Sequence, residues 1–207
     1  MPNIYITSSC VINDHVVYKN NKKVFENKHA NLPEFLLAAY DNLEIKYPKF
    51  YKMDNLSKLG WLAAENLLKE NFIKENYKPD DVGIVLSNAN SSLDADLKYL
   101  ETVKDFPSPS LFVYTLPNIV IGEICIKNNF KGENAFFVFE QFDANFIKQY
   151  VSNLVINNIL QTCICGWVDV IGENYKAALF LIEKNSNPNA TDFTTENINN
   201  IYQQHNG

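Results

Sequence analysis

Two short runs in this chain of 207 residues are almost entirely apolar, and a helical pattern follows each of them. The first run is residues 81–87 (DVGIVLS), and the second is residues 135–139 (AFFVF), from Ala135 to Phe139. Runs of this kind are typical of strands that are covered on both faces of a sheet. Helical spacing continues over residues 93–103, and again from Asp143, a predicted N-cap, to about residue 160. The alternation predicts an α/β domain in which helices cover a mixed sheet.

The rest of the chain fits the same architecture. Asp54 is a predicted N-cap, and Pro117 stands at a helix start, where its missing N–H costs nothing. Asn20 and Asn21 are suited to the tight turn of a hairpin. The further predicted strands are residues 3–12, 16–18, 23–25, 161–170 and 175–183. The further predicted helices are residues 30–42, 55–70 and 117–129.

The apolar patterns predict one domain over residues 1–184, because no linker or internal repeat divides them. After Lys184 the sequence NSNPNATDFTTENINNIYQQHNG is polar and rich in asparagine. We therefore interpret residues 185–207 as a mobile tail with at most one short helix, near residues 194–203.

Composition excludes several classes of function. All 18 cationic residues are lysine and the net charge is −6, so nucleic acid is not an expected partner. No apolar run reaches the roughly 18–20 residues that span a bilayer, so no membrane association is expected. The start MPNIYITSSC lacks the features of a signal peptide. These features, with four cysteines, predict a cytoplasmic protein with reduced thiols.

The sequence predicts no cofactor and no metal. Its glycines form none of the phosphate-binding patterns. Cys163 and Cys165 alternate along a predicted strand and would point to one face, while Cys125 lies in an apolar helix stripe. Free cysteine is usually a buried packing residue, and we interpret all three in this way.

The stretch GENAFFVFEQFD, from Gly132 to Asp143, predicts an apolar strand that runs into a tight turn and a helix. In acyl-transfer enzymes such a turn carries the nucleophile, since the start of the helix offers unpaired N–H groups to an oxyanion. Here the turn holds Glu140, Gln141 and Phe142, with no cysteine or serine. A carboxamide cannot form a thioester, so the turn alone cannot hold an acyl group covalently.

Three segments resemble the first half of a β-ketoacyl-acyl-carrier-protein synthase, a member of the thiolase-fold superfamily. They are residues 50–68 (FYKMDNLSKLGWLAAENLL), 82–88 (VGIVLSN) and 108–134 (SPSLFVYTLPNIVIGEICIKNNFKGEN). The family has a comparable helix with "MD", a strand with "VG", a loop and helix around "PN", and "KGP" before the strand that leads to the nucleophile. The resemblance covers residues 1–183 and implies one half of the layered thiolase-like fold.

The resemblance places Gln141 at the family's cysteine position. The family's spacing, counted from Gly132, reaches Gln141, and a shift of one residue gives Glu140 or Phe142. Phe142 and Asp143 also stand where the family has small residues, so they would crowd the mouth of an acyl tunnel. No catalytic residue is therefore assigned. Gln141 has one of two explanations: it plugs the site or donates a hydrogen bond to an oxyanion, or it is the residue that remained after catalysis was lost.

In this family the second half supplies paired histidines that bind the thioester carbonyl and drive malonyl decarboxylation. We expect the chain to end where the first half ends, and His15, His29 and His205 lie in no comparable motif. Glutamine for cysteine resembles two groups of the family: the inactive chain-length-factor subunit, and the loading type that decarboxylates malonyl groups. Because the loading type needs the histidines, the sequence favours a non-catalytic subunit in fatty-acid, polyketide or polyene biosynthesis, and it argues against an enzyme.

The alternative is an acyl-carrier-dependent decarboxylase or thioester-processing enzyme. It would use Gln141, with Glu140 or Asp143 beside it and further residues supplied by a partner.

The resemblance also implies partners. Thiolase-fold proteins pair the strand that corresponds to residues 135–139 with its two-fold mate, and without a mate this strand would leave an apolar edge open. We therefore expect a homodimer, or a heterodimer with a full-length ketosynthase, through the strand from Ala135 to Phe139. An acyl carrier protein is a further expected partner, and on this chain it would find only lysines as cations.

Overall fold

In the computed structural model, which describes residues 3–188 and 190–204, eight strands form one mixed sheet. The strands are β1 (Tyr5–Asn13), β2 (Val16–Lys19), β3 (Lys22–Glu26), β4 (Val82–Asn88), β5 (Asn134–Val138), β6 (Thr162–Ile171), β7 (Asn174–Glu183) and β8 (Thr191–Asp192). The helices are α1 (Leu32–Asn42), α2 (Asn55–Leu68), α3 (Leu93–Val103), α4 (Pro109–Val113), α5 (Ile119–Asn128), α6 (Ala144–Ile156) and α7 (Thr195–Gln203). The predicted strands and helices are present, with small differences at their ends.

The strand order across the sheet is β3-β2-β1-β7-β6-β4-β5, and β8 pairs separately with β1. β4 lies parallel to both β5 and β6, whereas β7 runs antiparallel to β1 and β6. Parallel neighbours need crossover connections, which the helices between β4, β5 and β6 supply. The predicted α/β architecture, with helices on a mixed sheet, is confirmed.

The two faces of the sheet bury two separate hydrophobic clusters. One cluster joins α1, α2 and α5 to the sheet, and Phe35, Leu59 and Trp61 are fully buried within it. The other joins α6 and α7 to the opposite face through Ile147 and Ile198. Burying a large apolar side chain contributes about 1.5–3 kcal/mol, so the sheet is held from both sides.

Short-range signals explain where the helices begin. Asp54 and Asp143 are the predicted N-caps, and each accepts a hydrogen bond from the backbone N–H three residues ahead, at 2.9 and 2.8 Å. Asn31 forms a capping box with Glu34 at the start of α1. Within the described ranges, no helix has the length and apolar character needed to cross a membrane.

The prediction that residues 135–139 form a buried strand needs correction. β5 is the last strand on its side of the sheet, its inner residues are only half-buried, and Val138 is exposed. The apolar run was read as a strand covered on both sides, but strand order leaves it with one neighbour, β4. The expected open apolar edge is present.

The tail predicted over residues 185–207 contains, in the part that the structure describes, the short strand β8 and the helix α7, which matches the one short helix expected near residues 194–203. β8 pairs with β1, and α7 buries Ile198 completely against the sheet. Phe193 is also buried. The polar composition of this segment gave no sign that Phe193 and Ile198 would anchor it to the sheet. Asn189 and residues 205–207, which include His205, lie outside the described residues.

Candidate functional site

The predicted strand, turn and helix are present where β5 leads into α6. The turn exposes Glu140 and Gln141 to solvent and directs Phe142 inward. Asp143 Oδ1 accepts a hydrogen bond from Phe146 N at 2.8 Å, so a carboxylate already caps the start of α6. A negative charge therefore stands beside the N–H groups that an oxyanion would need.

Phe142 anchors the turn in an aromatic stack. Its ring lies 4.4 Å from that of Tyr202, centroid to centroid, and 6.0 Å from that of Trp167. Lys176 Nζ donates a 2.7 Å hydrogen bond to the Tyr202 carbonyl and sits 3.9 Å from the centre of its ring. The end of α7 thus fills the apolar space beside the turn.

A cleft of about 540 Å³ opens next to this stack. It lies where β4 and β5 end and along β6, at the carboxyl ends of parallel strands, which is the usual ligand position in α/β sheets. Its lining residues come from five parts of the fold: Asn13, Asp14, His15, Ala89, Glu140, Gln141, Phe142, Trp167, Asp169, Glu173, Asn174, Tyr175, Lys176 and Tyr202. This lining contains no serine, threonine or cysteine, so it offers no hydroxyl or thiol of those types for covalent catalysis.

Two carboxylates, the half-buried Asp169 and the buried Asp94, hold the loops beside the cleft. Asp169 accepts hydrogen bonds from Ala89 N at 3.2 Å, from Asn90 N at 3.0 Å and from Asn90 Nδ2 at 2.7 Å. Asp94 accepts one from Gly172 N at 3.0 Å, which ties the start of α3 to the turn between β6 and β7. These bonds fix the loop after β4.

Lys176 and Tyr202 have shifted ionisation. Burial lowers the pKa of Lys176 to about 8. Burial, with a smaller effect from the Asp169 charge, raises the pKa of Tyr202. Both shifts favour the neutral form of each side chain, as expected for groups packed against each other away from water.

His15 and Gln141 line the same cleft. The sequence did not predict that these two residues lie close together. His15 lies in the tight turn between β1 and β2, where both Asp14 and His15 have positive φ. Its ring packs edge-on against those of Phe35 and Tyr175. Because 126 residues separate His15 from Gln141, only the pairing of β1 with β7 brings them to one cleft.

The cysteines behave as predicted. Cys163 and Cys165 are fully buried in the same cluster, and Cys125 packs against the other. Burial raises the pKa of all three thiols, that of Cys125 to about 11, so none is a ready thiolate. Across residues 3–188 and 190–204, no group of three or more His, Cys, Asp or Glu side chains is arranged to hold a metal ion.

The sheet order and the turn after β5 define a thiolase-like α/β fold, the fold of ketosynthases and chain length factors. One similar structure is the ishigamide ketosynthase/chain length factor, at 13% identity and a TM-score of 0.62 over 87% of this chain and 62% of that one. Another is a ketosynthase in complex with its chain length factor from Xenorhabdus doucetiae, at 12% identity and a TM-score of 0.58 over 89% of this chain and 80% of that one.

A third similar structure is a type II PKS acyl-carrier protein in complex with its ketosynthase, at 14% identity and a TM-score of 0.60, covering 88% of this chain and 63% of that one. The chain thus spans about 62% of the length of the ishigamide protein. No protein-family model matches the sequence, and no curated protein sequence is significantly similar to it.

Proposed function

We propose that this chain is a catalytically inactive ketosynthase-like subunit that pairs with an active ketosynthase in fatty-acid, polyketide or polyene biosynthesis. The observation that carries the proposal is the turn after β5, where Gln141 lies exposed at the predicted nucleophile position. A carboxamide there gives an acyl group no covalent anchor. The likeness in fold to ketosynthase–chain length factor assemblies supports a role beside a synthase.

Two contacts around the turn support the loss of acyl chemistry. The stack of Phe142 on Tyr202 fills the apolar space beside the turn, where the resemblance implies the mouth of an acyl tunnel. The Asp143 carboxylate uses an N–H at the start of α6 and adds charge of the wrong sign for an oxyanion.

The open edge of β5 is the proposed docking strand. Phe139 N donates to Asn88 O, and Glu133 O accepts from Ile84 N, so the odd-numbered residues of this segment face β4. In a parallel pair the alternate residues point their N–H and C=O groups the other way. Those of Asn134, Phe136 and Val138 therefore face outward, ready for an added strand.

Aromatic side chains flank this edge on the α6 side. Phe137, Phe139, Phe146 and Tyr150 are half-buried and pack together, with ring centroids between 4.7 and 5.9 Å apart. Aromatic residues are enriched in protein interfaces, where they bury large area at low entropic cost. The edge thus offers a partner two features. Its outward backbone groups can form hydrogen bonds with an added strand, and its apolar surface can be covered by the partner.

Co-expression with full-length ketosynthases, followed by affinity purification, tests this role. Val138→Pro removes an outward N–H without removing a bond to β4, so we expect the fold to persist and the complex to be lost. Val138→Ala keeps the N–H and serves as the matched control. An intact complex in the proline variant would refute strand addition, and no complex with any ketosynthase would refute the partner role.

We further propose that the complex acts in the cytoplasm and that an acyl carrier protein reaches it through the active ketosynthase. The net charge of −6 on this chain opposes direct contact with an acidic carrier.

One observation favours an enzymatic alternative, carrier-dependent decarboxylation: His15, Glu140 and Gln141 line the same cleft. A malonyl thioester would lose carbon dioxide there, and the resulting carbanion would take up a proton to give the acetyl thioester. Incubation with a malonyl carrier protein, alone and with a ketosynthase, measures this release. If Gln141→Ala and His15→Ala leave the rate of carbon dioxide release unchanged, the cleft is excluded as the site of decarboxylation.

A further inference from the structure

A single lysine, Lys176, lines the cleft beside the turn after β5. No other lysine of the part of the chain that the structure describes belongs to the lining of this cleft. Lys176 is half-buried, and its Nζ donates a 2.7 Å hydrogen bond to the Tyr202 carbonyl oxygen. The same Nζ lies 3.9 Å from the centre of the Tyr202 ring. Two contacts to one residue therefore hold this amine at a defined position in the cleft.

Burial changes which form of the amine is present near neutral pH. It lowers the pKa of Lys176 to about 8, against roughly 10.4 for an ordinary lysine. At pH 7.5 about a quarter of the Lys176 side chains are then neutral, compared with about one in a thousand for an exposed lysine. Only the neutral amine has the lone pair that can attack a carbonyl carbon. Loss of the proton leaves two N–H groups, so the bond to Tyr202 can remain.

The cleft has room for an acyl thioester next to this amine. Its volume of about 540 Å³ lies within the roughly 300–1,000 Å³ of small-molecule sites. The carboxamide of Gln141 lines the same cleft and can donate a hydrogen bond to a carbonyl oxygen.

The charges around Lys176 select among acyl groups. The other titratable groups that line the cleft are Asp14, His15, Glu140, Asp169, Glu173, Tyr175 and Tyr202. Four of them are carboxylates, so the cleft favours an uncharged acyl group over one that ends in a carboxylate.

We propose that Lys176 is a modification site, which takes an uncharged acyl group from an acyl thioester that enters the cleft. The Nζ lone pair forms a bond to the thioester carbonyl carbon, the C–S bond breaks, and the departing thiolate takes up the proton that the nitrogen loses. The products are an Nε-acyl lysine and a free thiol, so no oxidant or reductant is needed. The supply of thioesters to this chain rests on the proposed role beside a ketosynthase.

The amide formed at Lys176 is a lasting mark and not an intermediate. It carries no charge, so it removes the cost of burying an ammonium group, and its remaining N–H can still donate to the Tyr202 carbonyl. An amide is far less reactive than a thioester, so the acyl group stays in the cleft and does not pass to a second thiol. Acylation therefore closes the cleft.

Incubation of the purified protein with S-acetyl-N-acetylcysteamine, a small acyl thioester, followed by quantitative peptide mass spectrometry, tests this assignment. At pH 7.5 we expect acetylation of Lys176 to be about tenfold faster than that of the exposed Lys52. The larger share of neutral amine outweighs the loss of nucleophilicity that accompanies a lower pKa. Acetylation of Lys176 that is no faster than that of Lys52 overturns the proposal.

Lys58 is the matched control for burial without a cleft. It is half-buried on α2, burial also lowers its pKa, and its Nζ lies 5.9 Å from the centre of the Phe50 ring. It does not line the cleft, so its acetylation should be slower than that of Lys176. Equal rates at Lys58 and Lys176 would mean that the cleft contributes nothing, which also overturns the proposal.

Two further measurements test whether the acyl group enters the cleft. The malonyl thioester of the same thiol should react at Lys176 at least about threefold more slowly than the acetyl thioester, with a smaller difference at Lys52. Gln141→Trp, a change at an exposed position, should narrow the cleft and slow acetylation of Lys176 but not of Lys58. A rate at Lys176 that either change leaves untouched would refute entry into the cleft and the proposal with it.

Acylation of Lys176 and the partner role can be refuted separately. The thioester assay contains no ketosynthase, so acetylation of Lys176 in a chain that binds no ketosynthase would refute the partner role alone. Strands β6 and β4 separate β7, which holds Lys176, from β5. Lys176→Arg should therefore leave the co-expressed complex intact, and a complex whose Lys176 resists acetylation would refute the modification alone.

Discussion

Phe142 and Tyr202 stack across the cleft corner, with ring centroids 4.4 Å apart and planes at 29°. This contact joins the turn after β5 to the last turn of α7. Tyr202→Ala should therefore lower the free energy of unfolding by about 1–2 kcal/mol. It should also uncover Phe142, which urea unfolding together with binding of an apolar dye would detect.

Tyr51→Ala is the control for this change, because Tyr51 is 59% exposed and lies on the other side of the sheet, near α1. We expect a smaller loss of stability and no gain in dye binding. Equal behaviour of the two variants would mean that Tyr202 does not close the corner.

Gln141→Cys should not create an acyl-enzyme site. The new thiol would stand between the Glu140 and Asp143 carboxylates, which oppose a thiolate. We expect its acylation by an acyl thioester, followed by intact-mass spectrometry, to match within about twofold that of Gln149→Cys, an exposed position on α6. A much faster reaction at position 141 would indicate that the corner still activates a nucleophile.

Substitution by alanine should change the stability in opposite directions at two glycines. Gly166 in β6 has φ +143, and a Cβ there would overlap the carbonyl oxygen of Ala178, so Gly166→Ala should cost at least about 3 kcal/mol. Gly122 lies inside α5 with nothing near its Cβ position, so Gly122→Ala should add about 0.5–1 kcal/mol. Urea unfolding of the two variants measures both. A Gly166→Ala protein of unchanged stability would contradict the close pairing of β6 and β7.

The lowered pKa of Lys176 predicts that the stability of the protein rises with pH. Its pKa in the folded protein is about 8, below the ordinary value of roughly 10.4, so between these values the unfolded chain binds more protons. The free energy of unfolding should increase across that window. Below pH 8 both states carry the charge, so the full cost of burying the charged ammonium of Lys176 remains. Because Lys176 is only half-buried, solvent screening limits the gain to about 1 kcal/mol.

Urea unfolding of the wild type and Lys176→Met between pH 7 and 10 measures this gain, which the variant should lack. The control is Lys52→Met, an exposed lysine at the end of the 3-10 helix Pro48–Lys52, which should keep the wild-type profile. Parallel profiles for the wild type and Lys176→Met would exclude the effect.

Short-range features of the fold were predictable because they depend on neighbouring residues. Asp54 and Asp143 cap the helices that follow them, and Asn20 and Asn21 both take the positive φ that a tight hairpin turn requires. Gln141 was likewise placed in the turn before α6 by local pattern alone. Each signal acts over a few residues, so the sequence contains it directly.

Long-range features were not predictable in the same way. Tyr202 meets Phe142 only because α7 docks on the sheet, and His15 reaches the cleft only through the pairing of β1 with β7. The edge position of β5 follows from strand order, which apolar content does not determine, and only the family resemblance indicated it. Composition likewise hid Phe193 and Ile198, two anchors in an otherwise polar stretch.

The place of β1 in the sheet bears on how the chain is made. β1 lies between β2 and β7, yet Tyr5 of β1 pairs with Glu183 of β7. The segment from Tyr5 to Glu183 must therefore be synthesised before β1 finds this second neighbour, and contacts so distant in sequence slow folding. Until then the nascent chain holds bare strand edges, so we expect its yield in cells to depend on chaperones and growth temperature.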